Sequence, residues 1–336
     1  MCDKIDTSKL RQNNLQLIRD CLLEADTATK QDISSETGLS LATCTVLLNE
    51  LIENKEVTEL AHDLPNGGRP ARRVRLNAEF KHLLMLYLEK AECGQKINWR
   101  TVNLKNTITS CGELCFDNID ISEVEKAVAD IICEDGQIKA IGIGIPGIVL
   151  DGRIALCDIK SLIGVNVIDR LERKFKMRVI IGNDMNFIAY GSFKKRRFPP
   201  NISVTCIVWS KNDFAGSGSV VNGKILEGFS NFAGEISYLP YHMTREEQLK
   251  KLNNPDEFIG AAVQGIVGIA AILNPKLVII TGDVAACHTK SEYIEECKKY
   301  LPTEHIPQLE IVEEPREEYF NGLYNAAMEK IIYIRK

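Results

Sequence analysis

The sequence predicts an α/β protein with an N-terminal winged helix-turn-helix and a larger body of alternating strands and helices behind it. Three observations carry that prediction. Apolar residues recur at helical spacing through the N-terminal segment, with capping residues and a glycine where tight turns are needed. A Gly/Pro turn crowded with arginine, "LPNGGRPARRVRL" (Leu64 to Leu76), then separates two short strand-like segments. From His82 onward, apolar runs rich in isoleucine, leucine and valine alternate with amphipathic stretches, as in a buried sheet covered by helices.

Leu15, Ile18, Leu22 and Leu23 place an amphipathic helix at about Leu10 to Glu24. A second, short helix fits "TKQDISSET", with Thr29 as N-cap and Gly38 supplying the left-handed exit. Ser40 caps a third helix, "LATCTVLLNELIENK", whose buried stripe is expected at Val46, Leu47, Leu51 and Ile52. Helices two and three, joined through "TGLS", form a helix-turn-helix pattern with the third as reader. Its exposed start is expected at Ser40, Leu41, Ala42, Thr43 and Thr45. Threonine can contact base edges there and alanine can touch a thymine methyl.

That start contains no lysine or arginine, although phosphate neutralisation supplies most non-specific affinity. The electrostatic grip is therefore expected from Lys30, Arg11 and the turn that follows. Val57, Glu59 and Val74 to Leu76 read as strands around that turn, a wing whose tip is Gly67, Gly68, Arg69, Pro70, Arg72 and Arg73. Such a tip fits phosphates or a narrow minor groove. The same residues also read as a solvated hairpin with surface arginines, and the helix-turn-helix before them favours groove contact.

In the body, "HLLMLYLEK", "IKAIGIGIPGIVL", "RVIIGNDMNFIAYGSF" and "ISVTCIVWS" each contain or form a strand, and "LIGVNVIDRLERKFK" reads as a helix. "FAGSGSVVNGKIL" reads as a hairpin. "AAVQGIVGIAAILNPKLVIITGDVA" gives a long apolar helix, a proline break and a strand.

Composition sets limits on function. At 336 residues the chain suits two or three domains. A net charge of −5 and a pI near 5.7 argue against a polyanion binder over its whole surface, so any nucleic-acid contact must be local. No apolar run is expected to span a bilayer, and "MCDKIDTSKLRQNN" lacks the apolar core of a signal peptide, which points to the cytoplasm. Eleven cysteines without a CxxC pair read as free thiols of a reducing compartment.

"GLSLATCTVLLNELIENKEV" followed by "GGRPARRVRLN" resembles the winged-helix head of ROK-family repressors. "IGIGIPGIVLDGRI", "GNDMNFIAYG", "VVNGKILEGFSNFAGEIS", "ILNPKLVIITGD" and "FNGLYNAAMEKII" fall in the order expected of the ROK domain. The resemblance implies an actin-like, two-lobed body of the sugar-kinase and HSP70-type ATPase kind, with a sugar cleft between the lobes. It divides the chain into a DNA-binding head (1–77), a first lobe (78–200) and a second lobe with a C-terminal helix (201–336). It further implies a homodimer or homotetramer, double-stranded operator DNA as partner, and a sugar or sugar phosphate as effector. Asn183 and Asp184 match the pair that binds sugar hydroxyls, and Glu235 matches a carboxylate that also contacts sugar. Read without the resemblance, Asn183-Asp184 is also a turn with a helix cap and Glu235 a surface carboxylate, but their place at strand or hairpin exits, where clefts form, favours ligand binding.

The phosphate-binding features of the family's kinases are altered. Their first loop carries an aspartate followed by Gly-Gly-Thr, whereas "LEKAECGQKI" has one glycine and no Gly-Thr. In the second, "NDFAGSG" keeps Gly216 and Gly218 but puts Asn212, Asp213 and Phe214 in place of Gly-Thr-Gly. "TGDV" (Thr281 to Val284) stands where a glycine-rich turn is typical. The bulk of Phe214 and the charge of Asp213 oppose a phosphate, so no kinase activity, no catalytic residue and no cofactor is expected. Ile236, Ser237 and Tyr238 follow Glu235 where the family's zinc module would place a histidine, and no zinc is expected from lone His242. The expected function is a sugar-responsive repressor of carbohydrate uptake or catabolism genes. The alternatives are an active ROK sugar kinase and a regulator with a degenerate cleft controlled by a protein partner.

Overall fold

The computed structural model describes residues 7–60, 72–91 and 94–332. Three helices open the chain: α1 (Thr7–Glu24), α2 (Lys30–Thr37) and α3 (Leu41–Glu53). Each local signal has a physical counterpart. The Thr29 hydroxyl accepts the Asp32 amide while the Asp32 carboxylate accepts the Thr29 amide, closing a capping box at the start of α2. Gly38 ends α2 at φ 70°, and the Ser40 hydroxyl accepts the Thr43 amide at the start of α3. The buried stripe of α3 is Cys44, Leu47, Leu48 and Leu51. Val46, expected inside, is 66% exposed because it falls two positions off that i, i+3, i+4, i+7 register. Ile52 is half-buried.

Strands β1 (Ala28–Thr29), β2 (Val57–Glu59) and β3 (Arg73–Leu76) form an antiparallel sheet in the order β1-β3-β2. β1 has no counterpart in the sequence reading, since a two-residue strand carries no periodicity. Gly67, Gly68, Arg69 and Pro70 lie outside the described residues.

The body has five layers. β4 (His82–Ala91), β5 (Gly94–Val102), β6 (Ile108–Phe116) and β7 (Ile138–Ile145) follow, with α4 (Ile121–Glu134) between the last two. After the β8–β9 hairpin (Gly147–Leu150, Arg153–Cys157) come α5 (Val167–Phe175) and β10 (Arg178–Asn183), giving a first sheet ordered β10-β7-β4-β5-β6. α6 (Asp184–Lys195) leads to β11 (Val204–Val208), β12 (Gly216–Val221) and β13 (Lys224–Ile225). Helices α7 (Arg245–Leu252) and α8 (Pro255–Leu273), strand β14 (Leu277–Thr281), α9 (Lys290–Cys297), β15 (Gln308–Ile311) and α10 (Arg316–Ala327) complete the chain. The second sheet is ordered β13-β12-β11-β14-β15.

One core joins the two sheets through α6 and α10, with Met85 and Ile180 facing Cys206 and Ile279 across Phe187 and Tyr319. α4 and α5 cover the outer face of the first sheet, and α8 and α9 that of the second. α8 is a correction to the sequence reading: its 19 residues, mean hydropathy 1.6, are long and apolar enough to cross a membrane. It starts with Asp256 and Glu257, and Phe258, Val263 and Ile266 are fully buried in the core beside Trp209 and Tyr293.

Candidate functional site

α6 starts where β10 ends, so its N-terminus points into the space between the two sheets. Asn183 caps it: Oδ1 accepts the Asn186 amide at 3.1 Å, and Nδ2 donates to the Gly147 carbonyl at 3.1 Å. The same residue lines a cavity of about 160 Å³ with Gly147, Asn186, Ser217, Asn231 and Glu235. Asn183 and Glu235 are thus brought together, one from each half of the body. Asn231 ties the halves across this cavity, its Nδ2 donating to the Val149 carbonyl at 2.5 Å.

Asn186 is the residue sequence reasoning missed. Its Oδ1 is buried and has no hydrogen-bond partner among the described residues. An orphaned buried acceptor is costly, and here it belongs to a residue of the cavity wall. The available signal was its position three residues after Asn183, which puts it on the same face of the first helical turn.

Asp184 is buried but is not on the cavity wall. Its carboxylate accepts the Met185 amide at 2.9 Å, and the Tyr87 hydroxyl also bonds to it. Burial pushes its carboxyl up to about 7, and the like charges of Asp158 and Glu89 push the same way. Burial also raises the Glu235 carboxyl, against the opposing pull of Arg245. The Arg245 guanidinium stacks on the ring of Phe214 at 3.8 Å and on that of Tyr238 at 4.2 Å. So Phe214, Tyr238 and Arg245 form a stacked rim beside Glu235.

In the loop before β12, three backbone amides are engaged within the chain. The Lys211 amide donates to Asp283 Oδ1 at 2.9 Å, the Asn212 amide to Asn253 Oδ1 at 2.8 Å, and the Asp213 amide to the Ser210 carbonyl at 3.2 Å. The Asp213 carboxylate lies 3.5 Å from Lys90 Nζ, which also lies 3.6 Å from Asp158. Gly218 has a packing role: a Cβ there would sit 2.3 Å from the Asn186 backbone nitrogen. No group of three or more metal-ligating side chains converges among the described residues.

In the head, Leu41 and Ala42 are exposed at the start of α3. The Ser40 and Thr43 hydroxyls lie 2.9 Å apart, and the Thr45 hydroxyl donates to the Leu41 carbonyl at 2.8 Å. Lys30 Nζ donates to Asn49 Oδ1 at 3.4 Å, and Arg11 pairs with Glu50. Arg72 is exposed beside Glu59, 3.2 Å away. Arg73 is engaged inside the head, donating to the Thr27 hydroxyl at 2.8 Å and the Thr27 carbonyl at 3.0 Å.

Comparison with known proteins places this architecture. Residues 94–248 match the ROK family model. The xylose repressor of Caldicellulosiruptor bescii is 25% identical over 247 residues, 68% of this chain and 59% of that protein. The xylose repressor of Bacillus subtilis is 22% identical over 250 residues, 70% of this chain and 62% of that protein. The chain spans about three fifths of the length of these relatives. Among solved structures, a ROK family transcriptional regulator described as a homologue of the E. coli MLC protein superposes with a TM-score of 0.74. It shares 14% identity, over 95% of this chain and 97% of the other. The ROK hexokinase of Thermus thermophilus superposes with a TM-score of 0.57 at 18% identity, over 72% and 96%. These likenesses establish the sugar-kinase-like fold of the actin-like class. The cavity at the head of α6 is lined wholly from the segment, 94–248, that matches the ROK family model.

Proposed function

We propose that this protein is a sugar-responsive, DNA-binding transcriptional repressor of genes for carbohydrate uptake or catabolism, with a body that senses sugar without transferring phosphate. The observation that carries the reading is the division of the cleft. On the sugar side, Asn186 Oδ1 has no partner among the described residues, in a cavity that also holds Asn183 and Glu235. On the phosphate side, the amides of Lys211, Asn212 and Asp213 are already bonded within the chain. Phosphoryl transfer depends on backbone donors and a metal ion around the phosphates, and these three donors are already spoken for. That opposes the kinase alternative, which the hexokinase neighbour otherwise keeps in view.

The repressor names of the relatives support the rest of the reading. In it, residues 1–77 are a winged helix with α2 and α3 as the helix-turn-helix, and 78–200 and 201–336 are the two lobes. A homodimer or homotetramer in the cytoplasm presents two heads to two half-sites of double-stranded DNA. A sugar or sugar phosphate that prefers one lobe arrangement then changes operator affinity. Thermal melting with a panel of pentoses, hexoses and their phosphates tests this, alongside an ADP-release assay on the same panel. The expected result is a raised melting temperature with at least one compound and no ADP above background. ADP production would overturn the sensor reading, and a flat panel would transfer control to a protein partner.

A further inference from the structure

The solvent face of α3 carries Leu41, Ala42, Thr45, Val46 and Asn49, at i, i+1, i+4, i+5 and i+8, opposite the buried stripe. Its chemistry is unusual for a helix of a polar head. Leu41 is 48% and Val46 66% exposed, and Ala42 is exposed between them. The one hydroxyl proton of Thr45 goes to the Leu41 carbonyl, and the Ser40 and Thr43 hydroxyls face each other at the cap. What this face offers a partner is therefore mainly methyl groups, plus the carboxamide of Asn49.

Resting on the DNA-binding reading above, we propose that α3 reads an A·T half-site: thymine methyls pack on Ala42, Thr45 and Val46, and Asn49 holds one adenine. In the major groove thymine presents an O4 acceptor where cytosine presents an N4 donor, and it adds a C5 methyl, which only apolar contact can recognise. Adenine presents an N7 acceptor beside an N6 donor, which the Nδ2 and Oδ1 of one asparagine match together. The hydrogen bond from Lys30 to Asn49 Oδ1 leaves that oxygen a second lone pair and leaves Nδ2 free to donate. It also fixes the orientation of the carboxamide before DNA arrives. Guanine readout would need arginine or lysine on this face, and cytosine readout a free carboxylate. Leu41, Ala42, Thr45, Val46 and Asn49 supply neither: Lys30 is held on Asn49 Oδ1, Glu50 is paired with Arg11, and Glu53 stands a further turn from the cap.

Selection of random-sequence duplexes by the full-length protein at low salt tests the inference, followed by titration of the selected site with Val46→Ala and Asn49→Ala. Both side chains are outside the buried core, so unchanged melting temperatures verify that the variants fold. The expected half-site is a run of A·T pairs with a fixed adenine. Asn49→Ala then loses roughly tenfold discrimination at that adenine and keeps it elsewhere. Replacing thymine by uracil, which removes only the methyl, weakens the parent protein several-fold and Val46→Ala much less. A half-site fixed by G·C pairs, or binding indifferent to uracil, overturns this inference and leaves the repressor reading standing. Failure to retain any duplex at low salt overturns both.

Discussion

Replacing Asp184 by asparagine isolates the cost of a buried carboxyl. Its ordinary value of 3.8 rises to about 7 through burial, reinforced by Asp158 and Glu89. Between those limits the folded protein keeps a proton that the unfolded chain has released. The stability this contributes is complete below about pH 3.8 and is lost as pH rises through about 7. At 1.36 kcal/mol per pH unit, the full window amounts to about 4 kcal/mol. The carboxamide of the variant is neutral throughout, with the same shape and an oxygen still able to accept the Met185 amide. Urea unfolding of the parent and Asp184→Asn at unit intervals from pH 5 to 8 reads the difference. The advantage of the variant should grow by about 3 kcal/mol across that range, nearly all of it below pH 7. Parallel stability curves for the two proteins would refute the buried, proton-holding role of Asp184.

Arg72 and Arg73, the two described arginines of the expected wing tip, should separate by assay. Arg73→Ala should lower stability by about 1–3 kcal/mol, because it removes charged hydrogen bonds to Thr27, as a urea midpoint would show. Arg72→Ala should leave the midpoint in place and reduce the slope of log affinity for DNA against log salt by about one. Gly218→Ala should cost about 1–3 kcal/mol and abolish any sugar-induced rise in melting temperature, because its Cβ would meet the backbone at Asn186. A Gly218→Ala protein that melts and responds like the parent would refute that packing role.

What the sequence discloses, and what it withholds, divides by distance along the chain. The Thr29 capping box and the Ser40 cap involve residues three apart, so their partners are visible in the same short window. The strands of the body are visible because burial on both faces leaves continuous apolar runs. Arg73, by contrast, reads as a DNA contact because its partner Thr27 lies 46 residues away. In the loop before β12, the sequence shows the bulk of Phe214 and the charge of Asp213, but not which amides are already bonded. The stronger fact is that the Lys211 amide is taken by Asp283, 72 residues on. Residue type predicts which groups can bond, and only the fold decides which of them are already bonded.

That distinction also governs how the cavity can reach the head. Asn186 lies on the first turn of α6, and α6 meets α10 backbone to backbone at Gly191 and Gly322. A Cβ at Gly191 would lie 1.7 Å from the Glu318 carbonyl oxygen, and one at Gly322 1.8 Å from that of Phe187. Helices in such close contact shift as one body more readily than they bend. From α10, the Tyr324 hydroxyl donates to the Leu104 carbonyl at 2.9 Å. The turn that holds Leu104 touches the N-terminal region directly: the Leu104 amide donates to the Ala78 carbonyl at 2.9 Å, and Lys105 pairs with Asp26 at 2.9 Å. Contact alone transmits nothing, because an effector shifts an equilibrium only by its difference in affinity for the two arrangements. One hydrogen bond to Asn186 Oδ1 made in a single arrangement supplies about 0.5–1.5 kcal/mol. On the repressor reading proposed above, that allows about a tenfold change in operator affinity at most, so a stronger response would also draw on Glu235, across the cavity in the other half of the body.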